Sequence, residues 1–353
     1  MTKDQMKKLF SSNIFLLSSR AKAEDNIEEF YREEMERGAN VLFAPDFHIC
    51  ASNMEPLFRT VQSAGETAFS TCLIRPPECG ISLYGGDYQY KEYYEEIKQQ
   101  ATLCYEAGVS FLLLGGFSNL TEAKLAVFAA KEACPLPLCV GLRFNDEIKL
   151  AGGIDAAMAI LTLQTLGVSA VGVLETENAD DALEALSQMK EFTSVPLFAL
   201  PNVSEFMTPE DYADYMAEYI NCKCAMVGTF NGDARYTAAI SKALWQTEPF
   251  LPDFHEVHAI TGPGGILFYD FKNQTVSEKK LLLEIEIEDE KTVFSLIVKL
   301  IKAKTPPVCF KSKDLDALVA AVQLYPGRPA VRSDEYGEIA AKENGALVLP
   351  EGV

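Results

Sequence analysis

Eight times over the first 247 residues, a short aliphatic or β-branched run is followed by a longer amphipathic stretch, and this alternation constrains the fold more than any motif does. The strand candidates are Asn13–Ser18, Asn40–Ala44, Ala68–Arg75, Ser110–Gly115, Leu136–Phe144, Ala170–Leu174, Val195–Leu200 and Cys224–Phe230. Between them lie helix-like segments, among them Ala23–Arg37, Lys91–Ala107, Leu120–Ala133 and Pro209–Asn221. Gly38, Gly108 and Gly167 stand just before the next strand, where a helix ending in the left-handed conformation favours a residue without Cβ. Eight such units predict a (β/α)8 TIM barrel. The competing architecture, an open doubly wound sheet, usually carries a glycine-rich phosphate loop after its first strand. Here the chain reads Ser18-Ser19-Arg20-Ala21-Lys22.

The pattern changes after Trp245. Thr247-Glu248-Pro249-Phe250-Leu251-Pro252 reads as a linker stiffened by its prolines. The expected division is a barrel over 1–247, a linker over 248–256 and a small α/β domain over 257–353. In the last, Gly265–Asp270, Leu281–Glu288, Pro307–Phe310 and Gly345–Leu349 are strand candidates, and Thr292–Ala303 and Leu315–Leu324 are helix candidates. At 353 residues the chain has room for one large and one small domain.

Charge and cysteines narrow the function classes. A formal net charge of −20 with no basic stripe argues against a nucleic-acid partner, which needs clustered Lys and Arg. The nine cysteines are odd in number and irregularly spaced. Most sit in apolar runs such as Thr71-Cys72-Leu73-Ile74 and Leu138-Cys139-Val140, so they read as small core hydrophobes rather than a disulfide framework. Met1–Lys8 is charged, unlike a signal peptide, and no run approaches the roughly 20 apolar residues of a membrane span. A cytoplasmic protein without a membrane partner is expected.

Several stretches of running text carry a resemblance. They are Phe111-Leu112-Leu113-Leu114-Gly115-Gly116-Phe117-Ser118-Asn119-Leu120-Thr121-Glu122-Ala123-Lys124, Gly167-Val168-Ser169-Ala170-Val171-Gly172-Val173-Leu174, Val195-Pro196-Leu197-Phe198-Ala199-Leu200-Pro201-Asn202, and Val227-Gly228-Thr229 with Ala238-Ala239-Ile240-Ser241. Through them the first 245 residues resemble the homocysteine S-methyltransferase family, most closely the homocysteine-binding domain of cobalamin-dependent methionine synthase. The tail is similar to an abbreviated piece of the pterin-binding domain that follows in methionine synthases. The echo lies in Asp316-Ala317-Leu318, Tyr325-Pro326-Gly327-Arg328-Pro329 and Ala340-Ala341-Lys342-Glu343-Asn344-Gly345-Ala346. A whole pterin barrel needs about twice this length, so folate binding is not expected.

The resemblance implies a methyltransferase in methionine biosynthesis, with zinc as the activator of the homocysteine thiol. Such a zinc takes three protein thiolates and keeps one position open, and coordination lowers the substrate sulfur's pKa. One cysteine follows the family's sixth strand and an adjacent pair follows the eighth. The matching positions here are Glu175, Phe230 and Asn231: a carboxylate, a phenyl ring and an amide. The resemblance therefore implies no zinc, no other cofactor, and a degenerate or altered activity. The acidic residue that ends the family's fourth strand and holds the substrate ammonium is matched by Gly115. The family's glycine-rich first turn is matched by Ser18–Ala23.

Polar residues remain at the predicted mouth. Asp46, His48 and Cys50 follow strand two, and Arg75 follows strand three. Arg143 ends strand five, Glu175 follows strand six and Asn202 strand seven; Asn231, Asp233 and Arg235 follow strand eight. Asp46, His48 and Glu175 are the catalytic candidates; Asp46 and His48, two apart on an extended segment, point the same way and suit an acid–base pair. Arg75, Arg143, Asn202, Asn231, Asp233 and Arg235 are the substrate-binding candidates, suited to a small anionic or zwitterionic ligand through charge-assisted hydrogen bonds. Three motifs read as structural. Cys222-x-Cys224 lies at the barrel's foot, His255-Glu256-Val257-His258 on a surface or domain interface, and Thr261-Gly262-Pro263-Gly264-Gly265 in a turn lacking the Lys-Ser/Thr of a phosphate loop.

Three functions are compatible with these residues: a methyltransferase-family enzyme that activates its thiol without zinc, a non-catalytic binding module or partner of a corrinoid or methionine-synthase protein, and a barrel rebuilt for a different small-molecule reaction.

Overall fold

A strand buried on both faces forms from a continuous apolar run, and eight such strands line up in parallel in the computed structural model of the chain. The structure describes residues 1–18, 26–44, 51–77, 80–84, 89–245, 247–248, 257–273, 275–276 and 281–350. The strands are β1 (Phe15–Leu16), β2 (Val41–Phe43), β3 (Phe69–Ile74), β4 (Phe111–Phe117), β5 (Leu138–Leu142), β6 (Ala170–Leu174), β7 (Leu197–Leu200) and β8 (Cys224–Val227). Their order, β1-β8-β7-β6-β5-β4-β3-β2, is that of a barrel opened between its first two members. A parallel bridge between Leu17 and Val41 closes it. Asn40 N donates to Leu16 O at 3.0 Å and Ser18 N to Val41 O at 2.8 Å. The (β/α)8 reading of the sequence holds, with every strand found where the apolar runs put it.

The barrel is filled, not hollow. Helix α1 (Lys3–Phe10) stoppers the foot by sending Met6 and Phe10 into the interior, where the Phe10 and Phe15 rings meet edge-on at 5.1 Å. Above them Leu113, Phe198, Leu200 and Leu174 fill the bore, and Phe230 caps the column at the mouth. Gly172 permits a close approach of backbone to backbone: a Cβ there would stand 2.1 Å from the Phe198 carbonyl oxygen.

Outside the strands run α2 (Ile27–Glu36), α3 (Ala51–Ala64), α4 (Tyr90–Ala107), α5 (Leu120–Ala133), α6 (Ala156–Leu163), α7 (Ala179–Lys190), α8 (Pro209–Ala213), α9 (Tyr215–Asn221) and α10 (Ala234–Leu244). The segment Pro209–Asn221, predicted as one helix, is divided at Asp214, which itself keeps helical torsions. Gly38, Gly108 and Gly167 all have positive φ, as their capping role requires.

The tail is a smaller α/β unit. Strands β9 (Ala259–Gly262), β10 (Gly265–Asp270) and β11 (Thr275–Val276) pair antiparallel. Strands β12 (Leu283–Ile287), β13 (Val308–Ser312), β14 (Ala330–Arg332) and β15 (Leu347–Val348) form a parallel sheet in sequential order. They are joined by α11 (Glu290–Lys302), α12 (Leu315–Leu324) and α13 (Glu335–Glu343). Ile260, Leu267 and Tyr269 of the hairpin pack on Cys309, Ala330 and Leu347 of the parallel sheet. Strands β9, β11 and β14 and helix α13 were not predicted. Thr261–Gly265 is the β9–β10 hairpin turn and its flanks, as its glycines suggested. The predicted linker lies outside the described residues, apart from Glu248.

The tail docks on the barrel's flank. Helix α5 is buried from Leu120 through Ala130, which a helix reaches only when it is covered on all sides. Lys124, within that run, donates to the carbonyls of Val322 (2.7 Å), Tyr325 (2.8 Å) and Gly327 (2.8 Å). These acceptors lie in the last turn of α12 and just beyond it, where unsatisfied carbonyls and the helix dipole favour a cation. Thr162 and Thr261 share a hydroxyl hydrogen bond at 2.8 Å, and Thr165 Oγ1 donates to Gly345 O at 3.2 Å. Among the described residues no helix is long and apolar enough to cross a membrane.

Candidate ligand site at the barrel mouth

Barrel chemistry belongs at the carboxyl ends of the strands. Three of the positions singled out there from sequence come together. Arg75 follows β3 directly, Glu175 follows β6 directly, and Phe230 stands three residues past β8. Arg75 Nη1 donates to Glu175 Oε2 at 3.2 Å, and Arg75 Nη2 donates to Glu175 Oε1. The guanidinium carbon lies 4.9 Å from the centre of the Phe230 ring, in cation–π range. The pair is asymmetric in burial, with 8% of the Glu175 side chain exposed against 42% for Arg75.

Local backbone fixes Glu175. Its φ is +62°, a left-handed conformation that costs a non-glycine residue on the order of 1 kcal/mol. Glu175 N donates to Leu200 O at 3.1 Å, and Asn202 Nδ2 donates back to Glu175 O at 3.3 Å. Asn202 is thus an anchor for the Glu175 backbone. Asn231 works similarly: Val203 N donates to its Oδ1, and its Nδ2 donates to Val203 O at 3.2 Å, tying the loop after β8 to the loop after β7.

Two glycines shape what lies beneath and beside the pair. A Cβ on Gly115 would sit 3.0 Å from both Leu73 Cδ1 and Leu174 Cδ1, so these leucines fill the place toward which a side chain there would project. Gly116, at φ +83°, faces the Glu175 carboxylate, 3.4 Å from where its Cβ would be.

The other candidates are elsewhere. Asp233 caps α10 through Arg235 N at 2.9 Å and pairs with the exposed Arg235 guanidinium at 2.7 Å; that contact holds the carboxyl below its usual range. Arg143 pairs loosely with Glu177 at 3.4 Å, both well exposed, and lines a cleft of about 660 Å³ with Ser118, Asn145 and Lys149. Asp46, His48 and Cys50 lie outside the described residues. Cys222 and Cys224 are buried, and burial pushes the Cys224 thiol up, as suits core packing at the barrel's foot. His258 lines a second cleft, of about 790 Å³, between the tail and the barrel residues Gln164, Thr165 and Ser194, with Arg328 and Lys342.

The donor set at the three aligned positions does not suit a metal. Both Glu175 oxygens accept hydrogen bonds from Arg75, Phe230 offers no lone pair, and the Asn231 amide is turned onto Val203. Zinc sites use thiolate, imidazole and carboxylate donors in a tetrahedral set. Among the described residues, no group of three or more His, Cys, Asp or Glu side chains could hold a metal ion.

The profile of the homocysteine S-methyltransferases ("Homocysteine S-methyltransferase") matches residues 48–229. The chain belongs to that family. Its barrel is similar to the solved homocysteine methyltransferase MmuM from Escherichia coli. Against the apo form the TM-score is 0.54 at 15% identity, covering 67% of this chain and 97% of that one. The metallated form gives 0.54 at 15% identity, covering 67% and 98%. The oxidised form gives 0.53 at 15% identity, covering 65% and 95%. At that identity the likeness speaks for the fold. No curated protein matches the chain by sequence.

Sequence reasoning named Arg75 and Glu175 separately, one as a ligand binder and one as both a catalytic candidate and a displaced metal position, and missed that they bind each other. Lys124 was missed as an interface residue, although a lone lysine before Leu125-Ala126-Val127-Phe128-Ala129-Ala130 is a legible sign of a buried cation.

Proposed function

We propose that this homocysteine S-methyltransferase-family protein does not activate a thiol through zinc and uses its barrel mouth to bind a small polar molecule. The observation that supports this most is the Arg75 guanidinium, seated between Glu175 and Phe230, two of the positions the resemblance assigns to metal ligands. A guanidinium supplies positive charge and hydrogen-bond donors but no vacant coordination position. It therefore does not coordinate a sulfur lone pair, the step by which a metal activates a thiol.

A further observation supports the reading. An acidic side chain at position 115, where it would meet a substrate ammonium, would crowd Leu73 and Leu174.

Calorimetric titration with homocysteine, in the presence of zinc and again with a chelator, tests this. The expected result is the same heat in both. A zinc-dependent heat accompanied by proton release, the signature of thiolate formation on a metal, would overturn it.

A further inference from the structure

Glu175 uses only one edge of the Arg75 guanidinium. Its two oxygens take the end-on edge, one hydrogen from each of Nη1 and Nη2, while Phe230 lies against a face. The lateral edge, formed by Nε–H and the second Nη2–H, makes no hydrogen bond among the described residues. The Arg75 side chain is 42% exposed at the mouth, where the nearly buried Glu175 is not. Gly116 stands against the Glu175 carboxylate, and a side chain there would grow onto it.

We propose that the lateral edge of Arg75 binds the carboxylate of a small monoanionic organic ligand, with Glu175 as the positioning residue. This rests on the reading of the mouth as a small-molecule site. Two parallel N–H donors in one plane match the two oxygens of a carboxylate, which makes a bidentate, charge-assisted pair. Glu175 fixes the plane by holding the adjacent edge, and the Phe230 ring fixes its tilt. A guanidinium shared between two carboxylates is a stable arrangement as long as the second is singly charged. A dianion such as phosphate doubles the repulsion from Glu175 and from a chain of net charge −20, without gaining a further donor.

The test is NMR of the full chain with butyrate, inorganic phosphate and butylamine as probes, following the Arg75 Nε–H resonance and saturation transfer to each probe. Butyrate is expected to bind and to shift the Nε–H signal, whereas phosphate and butylamine leave it in place. Arg75→Met should weaken butyrate at least about tenfold, and Arg75→Lys, which keeps the charge but loses the planar fork, by several fold. In Glu175→Gln the Nε–H line should broaden as the guanidinium loses its fixed plane. Equal butyrate affinity in Arg75→Met and wild type, an unmoved Nε–H signal, or tighter binding of phosphate would overturn the proposal. If Arg75→Met does not fold, the wild-type Nε–H response decides. Absence of butyrate binding without any zinc-dependent homocysteine heat removes this inference alone. A zinc-dependent heat removes the reading on which it rests.

Discussion

Arg75 and Glu175, 100 residues apart in the chain, are joined across the barrel mouth by two hydrogen bonds, one of them 3.2 Å from Nη1 to Oε2. The carboxylate is nearly buried and the guanidinium is not. Removing the two partners therefore has unequal consequences.

Arg75→Met should destabilise the fold by about 2–3 kcal/mol, because it leaves a buried carboxylate without this cation. Glu175→Gln keeps the size and one acceptor and leaves a half-exposed arginine to water, so about 1 kcal/mol or less is expected. Urea unfolding of the two variants measures the difference. Equal losses would mean that Glu175 is held by other groups.

The close approach of Gly172 to the Phe198 backbone makes a second prediction. Gly172→Ala would drive a methyl into the Phe198 backbone, 2.1 Å from its carbonyl oxygen, and should cost about 3 kcal/mol or more, or abolish folding. Gly108→Ala meets nothing within 4 Å but has φ +88°, so only about 1 kcal/mol is expected from the backbone. Thermal melts of the two separate a packing cost from a conformational one.

Lys124 gives a pH dependence. Burial lowers its pKa from the ordinary 10.5 to about 7, although three backbone carbonyls accept hydrogen bonds from its ammonium. The folded value lies below the unfolded one, so between about 7 and 10.5 the unfolded chain binds the extra proton. Stability contributed by this group therefore rises with pH across that window, by at most about 1.4 kcal/mol per pH unit. Buried thiols and phenols titrate in the opposite sense at high pH, so the quantity to measure is the difference between wild type and Lys124→Met. A difference that stays flat, or falls, across the window contradicts this assignment.

Asn231→Ala removes both side-chain hydrogen bonds to Val203. Because Asn231 is exposed, the global cost should stay below about 1 kcal/mol, while hydrogen exchange at the Val203 amide speeds up several fold. Unchanged exchange would show that the amide clamp does not order this loop.

The barrel was legible because periodicity reports burial directly. Each β-branched or aliphatic run buried on both faces became a strand, and Gly38, Gly108 and Gly167 marked the helix ends. The tail was less so. Strand β14, Ala330-Val331-Arg332, is too short to show a period, and α13 carries Gly337, a weak helix former, within the helix. At the mouth, residue types were readable but pairings were not. Arg75 and Glu175 meet only because β3 and β6 close into one cylinder, and no local spacing encodes that. Asp233 and Arg235 looked like ligand binders from their types, yet they satisfy each other at the start of α10.

The central claim is that the cation at this mouth is a guanidinium and not a metal. It is tested most directly by elemental analysis of the purified chain after incubation with zinc and desalting, alongside Glu175→Gln. The account predicts substoichiometric zinc in both, with no difference between them. One tightly held zinc per chain, lost in Glu175→Gln, would contradict it.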